Sequence, residues 1–226
     1  MVDDVITMGD CGTMGLHQKA FRAFLNATSP QRRKARMAAF VEKMELKPGL
    51  RVIDLGGSTK LWRFVDVPLD ITVLNLATQW IDESQYGSHR FTIVRGDATN
   101  APEIPDNSYD LVFSNSCIEH VGPREKQKAF ADTVRRLAPA YWVQTPSKLF
   151  PIEAHTGLPF WWYYPESVRN RIIGGWKKSV PEYGEFVDGT RVLPRKDIEA
   201  FFPDSKIDVE KVAGFTKSYI AWRKAN

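Results

Sequence analysis

The run Val52-Ile53-Asp54-Leu55-Gly56-Gly57-Ser58 is an apolar stretch that ends in a carboxylate and enters a glycine turn. Glycine lets the backbone approach a ligand closely, and the N–H groups of the following turn can meet a carboxylate or a phosphate. A nucleotide-like cofactor is the chemistry this spacing serves. A dinucleotide fingerprint, G-x-G-x-x-G, would fall on positions 56, 58 and 61, which are Gly56, Ser58 and Leu61, so NAD is disfavoured. Histidine is the other chemical signal, because its pKa suits a general base near neutral pH. The chain has four, His17, His89, His120 and His155. His120 closes the segment YDLVFSNSCIEHV and His155 lies in the proline- and aromatic-rich PSKLFPIEAHTGLPFWWYYP. These two are the expected catalytic pair; the plainer alternative is that each imidazole ties a loop to backbone carbonyls.

Positioning such residues takes a sheet. RVIDL (51–55), ITVLNL (71–76), FTIVRG (91–96), YDLVFS (109–114) and YWVQT (141–145) are short β-rich runs, each separated by enough chain for a crossover. Near-continuous apolar runs of this kind indicate a parallel sheet covered on both faces, and right-handed crossovers make it doubly wound. Ligands of such sheets bind at the carboxyl ends of the strands. The best helix among these runs is Arg124 to Leu137, and the tail offers a helix near Arg195 to Phe202 followed by the strands KIDVEKV and KSYIAW. The expected fold is therefore α/β, a doubly wound, mostly parallel seven-stranded sheet in one domain spanning 1–226. Residues 1–48, with two helical patterns between 15 and 46, form an N-terminal helical cover; 49–145 form the cofactor-binding core, 146–194 an aromatic-rich acceptor-side insert, and 195–226 the closing helix and strands.

The order of these segments resembles the class I S-adenosylmethionine-dependent methyltransferases, especially the type 11-like small-molecule branch, from about residue 50 to 145. VIDLGGS resembles the first motif of that family, which implies that Asp54, Gly56, Gly57 and Ser58 hold the methionine portion of S-adenosylmethionine. Asn75-Leu76 falls where the family binds the ribose hydroxyls. Arg95-Gly96-Asp97-Ala98 is similar to the adenine station, with Asp97 accepting from the exocyclic amine. Ser114 and Asn115, in the post-fourth-strand motif, would line the methionine end, with the segment after them facing the acceptor. The sequence departs from the family pattern at Ser58 and Lys60, which replace two glycines, and at Asn75, which replaces the usual ribose-binding acid. An asparagine still hydrogen-bonds two hydroxyls, but without the strength of a carboxylate.

The resemblance implies methyl transfer from S-adenosylmethionine to a small or medium-sized acceptor, with oxygen favoured because histidine bases are at hand. The rival readings are a fold member that binds without catalysis, argued from those departures, and an RNA methyltransferase. Ile118-Glu119-His120 is also similar to the E-x-x-E-H element of some metal-assisted O-methyltransferases. A second distant histidine could complete such a site, but position 116 is serine, so one carboxylate ligand is missing and no metal is expected. Phe160, Trp161, Trp162, Tyr163 and Tyr164, with Phe150 and Trp142, can form an acceptor pocket or pack beneath a lid. Trp62 and Trp80 are expected to seal helix to sheet rather than flank adenosine.

At 226 residues, 43% hydrophobic and with a formal net charge of +4, the chain suits one soluble domain. The cluster Arg32, Arg33, Lys34 and Arg36 reads as a solvated helix face, and nucleic acid is disfavoured as a partner. Cys11 and Cys117 form no CxxC pair and read as ordinary thiols. MVDDVITMGD has neither a basic nor an apolar signal region, and the longest apolar stretch, around Leu158 to Tyr164, is too short to span a bilayer. A cytoplasmic location without integral membrane association is expected; the oligomeric state is open.

Overall fold

The structure, a computed structural model, describes residues 16–76 and 88–225, with side chains from residue 30 onward. The five β-rich runs form β1 (Arg51–Leu55), β2 (Asp70–Asn75), β3 (Arg90–Arg95), β4 (Leu111–Asn115) and β5 (Ala140–Pro146). The tail adds β6 (Lys206–Val212) and β7 (Phe215–Arg223). Their order in the sheet is β3-β2-β1-β4-β5-β7-β6; β7 runs antiparallel to both its neighbours and the first five strands are mutually parallel. The seven-stranded, mostly parallel sheet read from the sequence is the one that forms. The chain winds outward from β1 to β3 and then returns to β4 beside β1. The carboxyl ends of β1 and β4 therefore flank a topological switch point, where such sheets leave a crevice for ligands.

Alternation along the strands divides the core into two faces. Ile53 and Leu55, Val112, and Tyr141 and Val143 face α2 (Arg124–Leu137) and α5 (Arg195–Phe201), whose Phe130, Val134, Leu137, Ile198 and Phe201 are buried with them. Val52, Leu111, Phe113 and Trp142 face the other way, onto Met37, Phe40 and Met44 of α1 (Leu16–Met44). Phe40 is the centre of that second face. Its ring meets Trp62, Phe113 and Trp142 edge-on, at centroid separations of 6.1, 4.9 and 5.5 Å.

Four features depart from the sequence reading. The N-terminal cover is one continuous helix rather than two, running through Pro30; proline removes one hydrogen bond, but its fixed φ is helical, so the chain need not turn. The link from β1 to β2 contains only a short 3-10 helix, Thr59–Phe64, and residues 96–110 carry no helix, so α1 supplies the cover that crossover helices would otherwise give. Arg36 is not part of a solvated face. Its side chain is 13% exposed and bridges Glu210 (2.7 Å) and Asn115 (2.6 Å), pinning α1 to β6 and to the end of β4. Trp142 does not join the insert aromatics, because its neighbours in β5 place it on the α1 face.

The insert is more regular than its composition suggests. Beyond the 3-10 turn Trp161–Tyr163 it forms α3 (Glu166–Ser179) and α4 (Pro181–Gly189). These pack on each other around Trp161, Ile173 and Val187, and Gly184 crosses so close that an added Cβ would lie 2.5 Å from the Lys177 backbone nitrogen.

Candidate active site

The glycine turn after β1 is built on a buried carboxylate. Asp54 is wholly buried; its Oδ2 accepts from the Trp62 indole (2.9 Å), while its Oδ1 has no partner among the described residues. It lies directly beneath Gly57, where an added Cβ would come within 2.0–2.1 Å of the carboxylate. Gly56 has φ +71°, and a Cβ there would meet Cys117 Sγ at 2.2 Å. Asp54 thus shapes the turn from below and does not open onto its upper surface. Burial pushes its carboxyl up to about 7, against the opposing Trp62 hydrogen bond.

That shift has a measurable consequence. A folded-state pKa above the unfolded value near 4 means that the folded chain holds the proton more tightly, so the stability it contributes at low pH is lost as pH rises toward and past 7. Between pH 5 and pH 8 the wild type should lose roughly 2–3 kcal/mol more than Asp54→Asn, which keeps an acceptor for Trp62. Urea denaturation of both proteins at the two pH values checks this, and parallel losses would contradict it.

The neighbouring strand ends are tied to the turn. Asn75 is buried, and its Nδ2 donates to the Gly57 carbonyl (3.1 Å), while Leu76 stands exposed on the rim. Ser114, buried at the end of β4, donates to the Leu55 carbonyl (2.9 Å). Asp97 caps its own loop: Oδ1 accepts from the Thr99 amide and hydroxyl, both at 2.8 Å, beside the buried Ala98. Asp97 Oδ2 remains half-exposed, 3.9 Å from Lys126 Nζ. Asn115 Oδ1 is taken by Arg36. Ser58 stands before the 3-10 helix without making a side-chain cap. An open glycine turn with bare backbone, ringed by the ends of β1, β2 and β4, fits a nucleoside bearing an amino-acid arm.

From β4 the chain reverses at Ser116, whose φ of +55° is uncommon for a side chain with a Cβ and is held by bonds from its amide and hydroxyl to Gln144. The reversal lays Cys117 against Gly56 and carries Glu119 and His120 to His155. The two Nε2 atoms of the histidines are 3.2 Å apart. His155 Nδ1 donates to Glu153 Oε1 (2.6 Å), and Glu153 Oε2 accepts the amides of His155 and Thr156 (2.7 Å each). His120 Nδ1 faces Thr190 Oγ1 at 3.4 Å. Glu119, wholly buried, takes the Thr145 hydroxyl on Oε2 (2.9 Å), and its Oε1 has no partner among the described residues.

Burial, reinforced by His155, drives the His120 pKa down to about 3. Burial disfavours charge on His155 as well, but Glu153 outweighs it and the net direction is upward. Glu119 is pushed up to about 7 by burial, with His155 opposing. The two histidines are thus brought together as expected, but their ring nitrogens face partners within the cluster rather than an open acceptor. Glu119, His120 and His155, the last distant in sequence, have donor atoms within 4.8 Å of one another, while the carboxylate absent at Ser116 stays absent. Glu153 and Thr190 were missed, and only the short spacing of Glu153 to His155 hinted at either.

Of the aromatic run, Trp161 is buried, Trp162 and Tyr164 pack against it, and Phe160 and Tyr163 are exposed. Phe186 of α4, rather than that run, meets the histidines, stacked on His120 at 4.8 Å and edge-on to His155 at 5.6 Å. Trp62 is fully buried and seals α1 to the sheet; Trp80 lies outside the described residues.

Residues 54–142 match the family model of the type 11 methyltransferase domain. Magnesium protoporphyrin IX methyltransferase from Synechocystis, solved with S-adenosylhomocysteine, superposes with a TM-score of 0.55 at 17% identity, over 98% of this chain and 93% of that one. A phosphoethanolamine N-methyltransferase from Haemonchus contortus gives 0.52 at 18% identity, over 77% of this chain and 37% of the other. An O-methyltransferase family protein from Burkholderia thailandensis gives 0.52 at 14%, over 92% and 60%. Among curated proteins, none matches the chain in sequence. The match over residues 54–142 agrees with the resemblance read from the motifs. The fold is that of methyltransferases solved with S-adenosylhomocysteine or S-adenosylmethionine bound. No helix among the described residues is long and apolar enough to cross a membrane.

Proposed function

We propose that this protein transfers the methyl group of S-adenosylmethionine to a small or medium-sized acceptor, through oxygen in preference to nitrogen or carbon. One observation carries the reading: the loop 116–120 sets the glycine turn beside a cluster of three titratable side chains, with Cys117 against Gly56 and Glu119 and His120 beside His155. Gly56, Gly57 and Ser58 cradle the methionine arm by backbone, with Asp54 and Ser114 holding the turn. Asn75 and Leu76 meet the ribose, Asp97 Oδ2 and Ala98 the adenine, and Asn115 orders the methionine end through Arg36.

Bound S-adenosylmethionine supplies a methyl group on a sulfonium, open to in-line displacement, so the protein's work is to position the acceptor and exclude water. Phe186 and the insert helices cover the histidine pair, and of the three groups Glu119, its pKa pushed up to about 7 and its Oε1 unpaired among the described residues, is the one suited to take up the acceptor's proton. A small acceptor is favoured over nucleic acid because Arg36, within the basic cluster, is committed to Glu210 and Asn115. A cytoplasmic location accords with the free Cys117 thiol.

Calorimetric titration with S-adenosylmethionine and S-adenosylhomocysteine tests the reading without knowledge of the acceptor. One saturable site is expected, weakened about five- to tenfold in Asp97→Ala, the worth of one lost hydrogen bond near 1 kcal/mol. Folded protein that binds neither ligand would sink the proposal.

A further inference from the structure

We propose that Glu119, His120 and His155 form a binding site for a divalent transition-metal ion, zinc in preference, with one coordination position left open. Their donor atoms lie within 4.8 Å of one another. The two imidazole nitrogens are 3.2 Å apart, and Glu119 Oε1 is 4.0 Å from His120 Nε2. In a tetrahedral zinc site with bonds of about 2.0–2.1 Å, neighbouring ligand atoms are about 3.3 Å apart. The nitrogens already stand at that separation, and Glu119 needs to close by less than an ångström on His120.

The surrounding bonds aim the lone pairs inward. Glu153 takes the Nδ1–H of His155, and Thr190 Oγ1, which donates onward to the Phe186 carbonyl, faces His120 Nδ1 as an acceptor. Each histidine so tethered presents Nε2 to the shared point, the arrangement in which metal-bound histidines give their other N–H to a carboxylate or hydroxyl. Thr145 occupies the far oxygen of Glu119 and leaves Oε1 buried without a partner among the described residues. The convergence of two ring nitrogens and a carboxylate oxygen in a buried space must be satisfied by a cation between them, either a proton on one Nε2 or a metal ion bound by all three.

Two imidazoles and one carboxylate suit zinc and its first-row neighbours, whereas magnesium and calcium demand more oxygen ligands than the cluster holds. His120, 17% exposed where Glu119 is closed to solvent, marks the side from which a fourth ligand enters. An acceptor oxygen held there would lose its proton more readily, as zinc-bound water does. Use of the ion in this way rests on the methyl-transfer reading, but its binding does not.

The test starts from the 226-residue protein stripped with a chelator. Zinc chloride is titrated against a competing chromophoric chelator, and cobalt chloride is added separately for its visible spectrum. One equivalent of zinc, a tetrahedral-type cobalt spectrum and a rise in Tm with zinc are expected. Glu119→Gln and His155→Ala should each weaken zinc at least about tenfold, and Glu153→Gln, which touches no ion, should weaken it about 10- to 100-fold. S-adenosylhomocysteine binding, measured on every variant, reports whether it is folded; should His155→Ala fail that control, His120→Asn on the exposed side replaces it. Absence of zinc binding in protein that binds S-adenosylhomocysteine overturns the metal site and leaves the methyl-transfer reading standing. Binding that Glu119→Gln and the histidine variants leave unchanged also overturns it.

Discussion

Alanine at Gly57 is expected to abolish useful cofactor binding, by at least tenfold in affinity, and to destabilise the protein by about 1–3 kcal/mol, the usual cost of overpacking a filled site. The new methyl would arrive 2.0–2.1 Å from the Asp54 carboxylate, which has nowhere to retreat: it is wholly buried, on a short side chain, and anchored to the Trp62 indole. Relief requires that the turn lift away from the strand end, and the turn is the surface that the cofactor must meet. Gly174→Ala is the matched control. That glycine lies within α3, no atom falls within 4 Å of the added Cβ, and helix propensity favours alanine by up to about 1 kcal/mol. Thermal denaturation and S-adenosylhomocysteine titration of both variants separate the two effects; a Gly57→Ala protein that binds like wild type would show that the cofactor does not press on this turn.

The second large effect is remote from the chemistry. Phe40→Ala should cost about 3–5 kcal/mol, the range for truncating a buried aromatic, and lower Tm by roughly 8–15 °C in a chain of this size. Phe40 is fully buried against Trp62, Phe113 and Trp142, so the cavity is walled by three rings on two elements of the sheet and on the 3-10 helix, and none can turn into it without leaving its other contacts. Because Arg36 lies one helical turn earlier and holds Asn115 and Glu210, loosening α1 should weaken the cofactor as well. Urea denaturation gives the first quantity and calorimetry the second. A loss under about 1 kcal/mol would mean that α1 does not close this core.

How much of this was legible beforehand follows the range of each interaction. A strand buried on both faces must be apolar along its length, and a turn that approaches its own strand end must be glycine. RVIDL, YDLVFS and the pair Gly56-Gly57 therefore announce the parallel sheet and its ligand edge in local composition alone. The helix Arg124–Leu137 and the paired tail strands were legible for the same reason, and the methyltransferase family follows from the order of these local signals. Residues 166–189, by contrast, pack helix on helix through Trp161, Ile173 and Trp176, contacts that an aromatic-rich stretch does not reveal by period.

What depends on distant parts of the chain could not be read from them singly. Arg36 resembles any exposed basic residue until Glu210, on the far edge strand, is brought beside it. Glu119 and His120 form an incomplete ligand set by their own spacing, because the third donor, His155, lies beyond β5 and arrives only once the insert folds back over the strand ends. Asp54 is marked as a cofactor contact by its place in the motif, yet it is wholly buried and bonded to the Trp62 indole beneath the turn. Sequence determined the sheet, the glycine turn and the class of chemistry, since these rest on properties of neighbouring residues. The tertiary structure alone decided which carboxylate is buried and what the paired histidines face, because burial and opposition of charges are set by what the rest of the chain packs around them.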